Sequence, residues 1–326
     1  MRYARIIGLG KYLPPKVLTN QDLEKIVDTS DEWITTRTGI KTRHIAQDKE
    51  STSAIALPAA RLALKRAQLS AKDLDAIIVA TITPDNQFPS TACYLQHYLK
   101  AEKAASLDIA AACAGFIYAL VYAQGLIESG IANNILVVGA ETLSKLTDWE
   151  DRSTCVLFGD GAGAAVLSSG RKKSFLASSL GADGSYGELL ILPAGGSRLP
   201  TSKKTVKEKM HFIKMKGNEL FRLAVRIMVD AAKDALKKAN LDSTKIKLLV
   251  PHQANIRIIN AVATRLKLPS HMVYLNIQRY GNMSSASTAI ALCEAYEEEL
   301  IKKGDIVVLD AFGGGLVWGA LVIEWV

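Results

Sequence analysis

Short, β-branched apolar runs punctuate this chain. Ala76-Ile-Ile-Val-Ala80, Ile135-Leu-Val-Val-Gly139, Lys247-Leu-Leu-Val250 and Ile306-Val-Val-Leu309 are each bounded by polar or glycine-containing turns, the pattern of strands covered on both faces. Between them, apolar positions recur at helical spacing over residues 53–67, 114–129, 218–240 and 285–303, and the last two stretches end in lysine-rich turns followed by Asn or Gly, as helix C-termini do. Alternating strands and helices predict an α/β protein with buried sheets. Residues 109–127 carry no charge but are rich in Ala and Gly and bracketed by Asp108 and Glu128. A helix buried on all sides explains them better than a membrane span.

The elements repeat. In the first half a strand ending Ile-Val-Ala-Thr-Ile-Thr-Pro precedes a helix, and an Ala/Gly-rich helix then leads into Ile135-Leu-Val-Val-Gly-Ala-Glu141. In the second, Leu248-Leu-Val-Pro-His-Gln-Ala254 precedes a helix, and Ser284-Ser-Ala-Ser-Thr-Ala-Ile-Ala-Leu292 leads into Ile306-Val-Val-Leu-Asp-Ala-Phe312. Glycine-rich hairpin signals also match, Phe158-Gly-Asp-Gly-Ala-Gly163 in one half and Phe312-Gly-Gly-Gly315 in the other. Two copies of one unit follow, residues 1–173 and 174–326.

At 326 residues, 49% of them hydrophobic and 22% charged, the chain is neither disordered nor fibrous. The net charge of +8 is concentrated: residues 198–226 hold nine basic residues against two acidic ones, which favours an acidic partner. Nothing at the N-terminus has the order of a secretion signal, so a cytoplasmic address is expected. Cys93, Cys113, Cys155 and Cys293 lie far apart with no C-x-x-C, against a zinc site or disulfide framework and in favour of free thiols.

Three positions suggest chemistry. Cys113 follows a strand-like entry and opens the Ala/Gly-rich helix, where the helix end can lower a thiol pKa to roughly 3.5–7.5; a small buried Cys packed against Ala and Gly is the other reading. His252 follows a buried strand through Pro251, at the strand end where open α/β folds place ligands, though it could equally cap the strand. Asn282, after Gly281, sits at the loop entering the counterpart of the Cys113 helix, either as a plain turn or facing Cys113 across a pseudo-twofold. The Gly159-x-Gly161-x-Gly163 series is expected to be a tight strand turn rather than a dinucleotide site.

Cys113-Ala-Gly-Phe116, His252-Gln-Ala-Asn-Ile-Arg257, Gly281-Asn282 and Phe312-Gly-Gly-Gly315 resemble, in order, the motifs of the β-ketoacyl-acyl-carrier-protein synthase III family, as do Asp31-Glu-Trp-Ile34, Arg37-Thr-Gly-Ile40, Asp151-Arg152 and Phe158-Gly-Asp-Gly-Ala-Gly163. The resemblance implies a thiolase-type five-layer αβαβα fold and a homodimer. It implies a decarboxylative condensation of acetyl-CoA with malonyl-acyl-carrier protein through an acyl-Cys intermediate, with a CoA thioester as substrate, no permanently bound cofactor, no metal, no nucleic acid and no membrane insertion. By the same resemblance Cys113, His252 and Asn282 are catalytic, and the Cys113 and Gly314 N–H groups form the oxyanion hole. Trp33, Arg37, Arg152, Gly217, Phe221, Asn255 and Phe312 would bind CoA. Gln253, Ala254, Asn255, Ile256, Arg257, Lys214 and Arg222 would meet an acidic carrier protein, and Phe88 would limit the acyl pocket across the dimer. Met283 and Cys155 depart from the family pattern, with altered tunnel packing the expected result. The rival readings are a starter-unit synthase on the same fold and a non-catalytic nucleic-acid or membrane-surface binder using the basic segment.

Overall fold

Each apolar run becomes a strand of one of two sheets. The computed structural model describes residues 2–326. The first sheet comprises β1 (Tyr3–Tyr12), β2 (Ala76–Ala80), β3 (Ala105–Ile109), β4 (Asn134–Thr142) and β5 (Asp160–Gly170), in the order β1-β5-β4-β2-β3. The second comprises β6 (Phe175–Ala182), β7 (Leu248–Pro251), β8 (Ile306–Gly313) and β9 (Val317–Glu324), in the order β6-β9-β8-β7. Both sheets pair their first three strands antiparallel and the next pair parallel. In the second sheet the counterpart of β3 shrinks to a single parallel bridge between Leu249 and Val273.

The main helices are α1 (Asp31–Thr38), α2 (Thr52–Ala67), α3 (Thr91–Leu99), α4 (Gly115–Glu128), α5 (Gly217–Lys238), α6 (Ile256–Arg265) and α7 (Ser285–Glu297). Three apolar cores separate five layers. One joins α2 and α3 to the outer face of the first sheet. The central core joins α4 and α7 to the inner faces of both sheets, and the third joins α5 and α6 to the outer face of the second. This is the αβαβα sandwich of the thiolase fold.

Serine or asparagine caps start α1, α2, α3 and α6, through Ser30, Ser51, Ser90 and Asn255. The central helices α4 and α7 have no side-chain cap; the Gly115 N–H turns back to Ala112 O, and the Ala286 and Ser287 N–H groups to Met283 O and Ser284 O. Close approach of α7 to the first sheet requires glycine: a Cβ on Gly163 would stand 2.5 Å from Ala289 Cβ, and one on Gly139 2.6 Å from Ser285 O.

Several expectations need correction. Gly161 and Gly163 lie within β5 rather than in a turn, and residues 143–159, not a hairpin, join β4 to β5. Their lack of side chains answers to α7, not to chain reversal. The helix expected to reach residue 303 stops at Glu297, with Glu299 at φ +58°; four glutamates cluster at the negative end of α7, where acidic charge disfavours helix. The uncharged stretch 109–127 is not one helix, since β3 and a 3₁₀ turn at Ala112–Ala114 occupy its start. Nor is α4 covered all round, for Tyr122 is exposed. Among the described residues no helix is long and apolar enough to cross a membrane.

Gly163→Ala is predicted to destabilise the fold by about 1–3 kcal/mol or more, the cost of overpacking a close helix–sheet contact. Thermal unfolding of the variant against the parent chain measures it.

Candidate active site

The two central helices start at the same place. Cys113 lies in the 3₁₀ turn before α4, buried, between β3 and the helix. Asn282 and Ser284 lie before α7. The Asn282 segment is tied to the first half by its N–H to Leu157 O (2.9 Å) and by Gly159 N–H to Asn282 O (3.0 Å). Gly281, at φ +67° and ψ −160°, sits where a side chain is strained, and a Cβ there would stand 2.8 Å from Leu157 O; only glycine suits that backbone. Buried Arg43 braces the same loop, donating to Asn20 Oδ1, Leu18 O and Val156 O.

The end of β8 gathers the remaining groups. Asp310 O accepts the His252 N–H at 2.7 Å. Three residues on, Gly313 packs so closely on the cysteine turn that a Cβ would lie 2.6 Å from Cys113 N. Asn282 Oδ1 accepts the Ser284 N–H at 2.8 Å, which leaves the amide NH₂ of Asn282 as its free end. The Ser284 hydroxyl adjoins the Cys113 thiol. The structure thus brings the three sequence-predicted positions to one end of the two sheets.

The electrostatics are those of a dry site. Burial pushes His252 down to about 3, so its imidazole is neutral at physiological pH. Neither ring nitrogen has a partner in the protein, an orphaned donor and acceptor that a substrate can satisfy. Burial also pushes the Cys113 thiol up to about 12, with Ser284 and the cysteine's own N–H opposing and Glu141 reinforcing. This reverses the lowering expected from the helix end: desolvation of a thiolate with no cation beside it outweighs the partial positive charge of the helix terminus.

The remaining predicted residues divide. Arg152 stacks over Trp33, its Cζ 4.9 Å from the ring centroid, and Arg37 stands 5.9 Å from it. A base held between Trp33 and Arg152 needs two contact distances of about 3.5 Å, so Arg152, half exposed, must swing back to admit one. Gly217 opens α5 at the surface, Phe221 lies under Arg257 at 5.3 Å, and Phe312 is buried in the core beneath α5. Asn255 caps α6 and donates to Arg37 O at 3.1 Å.

Gln253 corrects its expected place on a docking surface. It is fully buried, donates to Pro251 O and Tyr274 O, and accepts from Asn276 and Ile277 N–H. It holds the two loops of the site together instead. Ala254 and Ile256 are half-buried, while Arg257 and Arg222 are exposed. Lys214 faces Asp148 at 3.9 Å and Lys209 pairs with Asp148 and Glu150, so carboxylates outside the basic segment neutralise part of it. Met283 and Cys155 are buried in side-chain clusters, Met283 against α7 and Gly161, Cys155 near Arg43. Phe88 is 85% exposed. Ser284 beside Cys113 and Glu141, whose charge reaches it, escaped the sequence reading; the signal for Glu141 is a lone carboxylate at the end of an apolar strand. All four cysteines are free, and among the described residues no cluster of His, Cys, Asp and Glu could hold a metal.

Fold and site together define a thiolase-fold condensing enzyme, an acyltransferase. Residues 107–184 match the family profile "3-Oxoacyl-[acyl-carrier-protein (ACP)] synthase III" and residues 236–325 its C-terminal counterpart. The chain is 56% identical over 325 residues to the "Beta-ketoacyl-[acyl-carrier-protein] synthase III" of Caldanaerobacter subterraneus subsp. tengcongensis, covering 99% of this chain and 98% of that one. It superposes on the crystal structure of 3-oxoacyl-[acyl-carrier-protein] synthase III from Aquifex aeolicus VF5 with a TM-score of 0.91 at 52% identity, over 99% and 100% of the two chains. The priming β-ketosynthase of the R1128 polyketide pathway gives a TM-score of 0.93 at 34% identity, over 99% and 96%. The chain belongs to the β-ketoacyl-[acyl-carrier-protein] synthase III family.

Gly313→Ala is predicted to push the Cys113 turn aside, since its Cβ would stand 2.6 Å from Cys113 N, and to destabilise the fold by about 1–3 kcal/mol, the cost of overpacking. Thermal unfolding of the variant against the parent chain measures it.

Proposed function

We propose that the chain starts type II fatty acid synthesis by condensing acetyl-CoA with malonyl-acyl-carrier protein to give acetoacetyl-carrier protein, CoA and CO2. The observation that carries this reading is the neutral His252, buried with both ring nitrogens unbonded, in a chain of this family. Cys113 takes the acetyl group, and the N–H groups of Cys113 and Gly314 receive the oxyanion of the tetrahedral intermediate. Loss of CO2 from the malonyl group creates an enolate without a strong base, so the second half-reaction needs neutral donors at the thioester oxygen. His252 Nε2–H and the Asn282 amide supply them, each worth about 2.7–4 kcal/mol of barrier. The carbanion then attacks the acetyl carbon and releases Cys113.

Trp33, Arg37 and Arg152 hold the nucleotide of CoA, and Gly217, Phe221, Asn255 and Phe312 line the way inward. Arg257, Arg222 and Lys214, with Ala254 and Ile256 between them, meet the acidic carrier protein. No cofactor stays bound, and the enzyme works in the cytoplasm as two similar halves, residues 1–173 and 174–326. A starter-unit synthase is the weaker reading, because the priming ketosynthase is 34% identical where the synthase III chains of Caldanaerobacter and Aquifex are 56% and 52%.

We read the assembly as a homodimer. Strand β3 is an edge of its sheet, Leu107 on it and Tyr122 on the neighbouring α4 are exposed, and such an edge invites pairing with a second copy. Phe88, exposed in its own chain, would reach the partner's acyl pocket.

Three outcomes test this reading. Wild type incubated with acetyl-CoA gains one acetyl group by intact mass and loses it to malonyl-carrier protein, whereas Cys113→Ser gains none. Asn282→Ala and His252→Ala still acylate but decarboxylate malonyl-carrier protein about 10²–10³ more slowly, and the wild-type decarboxylation rate stays flat from pH 8 down to pH 5 because His252 does not protonate there. Leu107→Glu shifts the species seen by light scattering toward monomer.

A further inference from the structure

The cations that the fold leaves unpaired do not all lie where the sequence concentrates them. Within residues 198–226, Arg198 meets Glu188 at 2.9 Å, Lys214 meets Asp148 at 3.9 Å, and Lys209 pairs with Asp148 and Glu150. Elsewhere in the second half, the last turns of α5 and α6 border a groove of about 560 Å³. Lys233 and Lys237 stand on one wall, a helical turn apart on α5, and Arg265 and Lys267 on the other. Among the described residues none of the four has an ion-pair partner or a side-chain hydrogen bond. Asp234, the nearest acid on α5, is taken by Lys238 at 2.7 Å and by the Ser179 hydroxyl. Among the described residues the groove itself holds one carboxylate, Asp242, which is turned to Thr244 and accepts its N–H at 2.8 Å. Leu236, Leu241 and Leu266 form the floor.

Helix ends attract cations on their own account, because the last carbonyls carry partial negative charge, but the attraction fades beyond the last turn. It accounts for Lys237 and Arg265. Lys233 lies more than a turn inside the end of α5, and Lys267 lies past the end of α6, at φ +58°, a position that helix ends usually give to Gly or Asn. Like charges around one trough repel each other, and an anionic occupant relieves that repulsion. The groove narrows the chemistry of the occupant. The N–H groups of Asn240, Leu241, Leu266 and Lys267 are spent on carbonyls of their own helices, which leaves no backbone donors there to cradle a phosphate. Among the described residues no aromatic side chain lines the groove, so nucleic-acid bases have nothing to stack on. A concave leucine floor lies out of reach of a flat lipid surface. Carboxylates on either side of an apolar stripe fit it, and a helix spaces carboxylates four residues apart as α5 spaces Lys233 and Lys237, by about 6 Å.

We propose that this groove docks an acidic amphipathic helix of another protein, with its carboxylates against the two basic walls and its apolar side chains on the leucines. Residues 240–243 of the groove precede β7, whereas His252 follows it. The 22 residues of α5 span about 33 Å, and the groove lies at their C-terminal end. An occupant therefore sits at the opposite end of the second sheet from Cys113, His252 and Asn282 and leaves them uncovered. The groove tethers the enzyme to a partner without competing with its substrates.

A fluorescein-labelled peptide of two Glu-Glu-Leu-Leu-Glu-Glu-Ala repeats, titrated with the full chain by fluorescence anisotropy, tests the groove. Wild type is expected to bind it at least tenfold more tightly than Lys233→Glu/Arg265→Glu, and at least threefold more tightly than it binds the same peptide with serine for leucine. The same peptide with benzophenone in place of one alanine is expected to cross-link to residues 233–243 and 265–267, as mapped by mass spectrometry. Both replaced side chains are exposed, so thermal unfolding of the double variant is expected to match wild type. Lys237→Gln/Lys267→Gln is the milder change, expected to weaken binding at least threefold, and decides the matter if the charge reversal fails to fold. Equal affinity in wild type and the variants, indifference to the serine replacement, or cross-links confined to the face of Arg222 and Arg257 would overturn the proposal. So would a duplex oligonucleotide or phosphatidylglycerol vesicles that outcompete the peptide and lose binding in Lys233→Glu/Arg265→Glu, which would reassign the groove to nucleic acid or to a membrane.

Discussion

Everything in this molecule depends on placing two helices, α4 and α7, between two sheets with their N-termini at one point. A helix packed between two sheets needs small residues where the backbones meet. Alanine and serine make up six of the thirteen residues of α7, and Gly139, Gly163 and Gly115 clear space where the backbones approach. The reward is positional: Cys113 and Asn282, far apart in sequence, enter the site from the two helix starts, and the end of β8 joins His252 and Gly313 to them. Burial on this scale also excludes water, which strengthens each hydrogen bond aimed at a reacting oxygen.

Burial sets the chemistry as firmly as it sets the packing. It keeps His252 neutral and opposes ionisation of Cys113, so the site favours donors over charges. A neutral imidazole can donate to an enolate oxygen without holding a proton that the carbanion would capture. The same burial makes a bare thiolate expensive. Glu141 lies among hydroxyls rather than cations, and burial raises its pKa.

The outer layers hold the exposed basic and aromatic side chains. Arg152 and Arg37 flank Trp33 near the surface, and Asn255 binds the Arg37 segment to the start of α6. Gln253, wholly consumed by backbone contacts, locks the His252 loop to the Asn276 loop. Glu294 does the same further back, accepting from Lys11, Asn276, Arg279 and Tyr280. The loops of the site are thus anchored by buried polar side chains at fixed positions, while Arg257 and Arg222 remain exposed.

Local pattern was enough to reveal the alternating strands and helices and to single out Cys113, His252 and Asn282, which the fold brings to one end of the two sheets, because periodicity and residue chemistry are properties of neighbouring positions. It misread what depends on distant neighbours. Glycines of β5 looked like a turn because the helix crowding them is over a hundred residues away. Gln253 looked like a surface residue because its partners at Tyr274 and Asn276 are remote. A helix end near Cys113 suggested an acidic thiol, but how deeply a sulfur is buried, and whether a cation reaches it, is decided only when both halves close over the site. The sequence alone determined which groups are available; tertiary structure decided their charge, their partners and which of them touch, since desolvation and contact exist only in the folded chain.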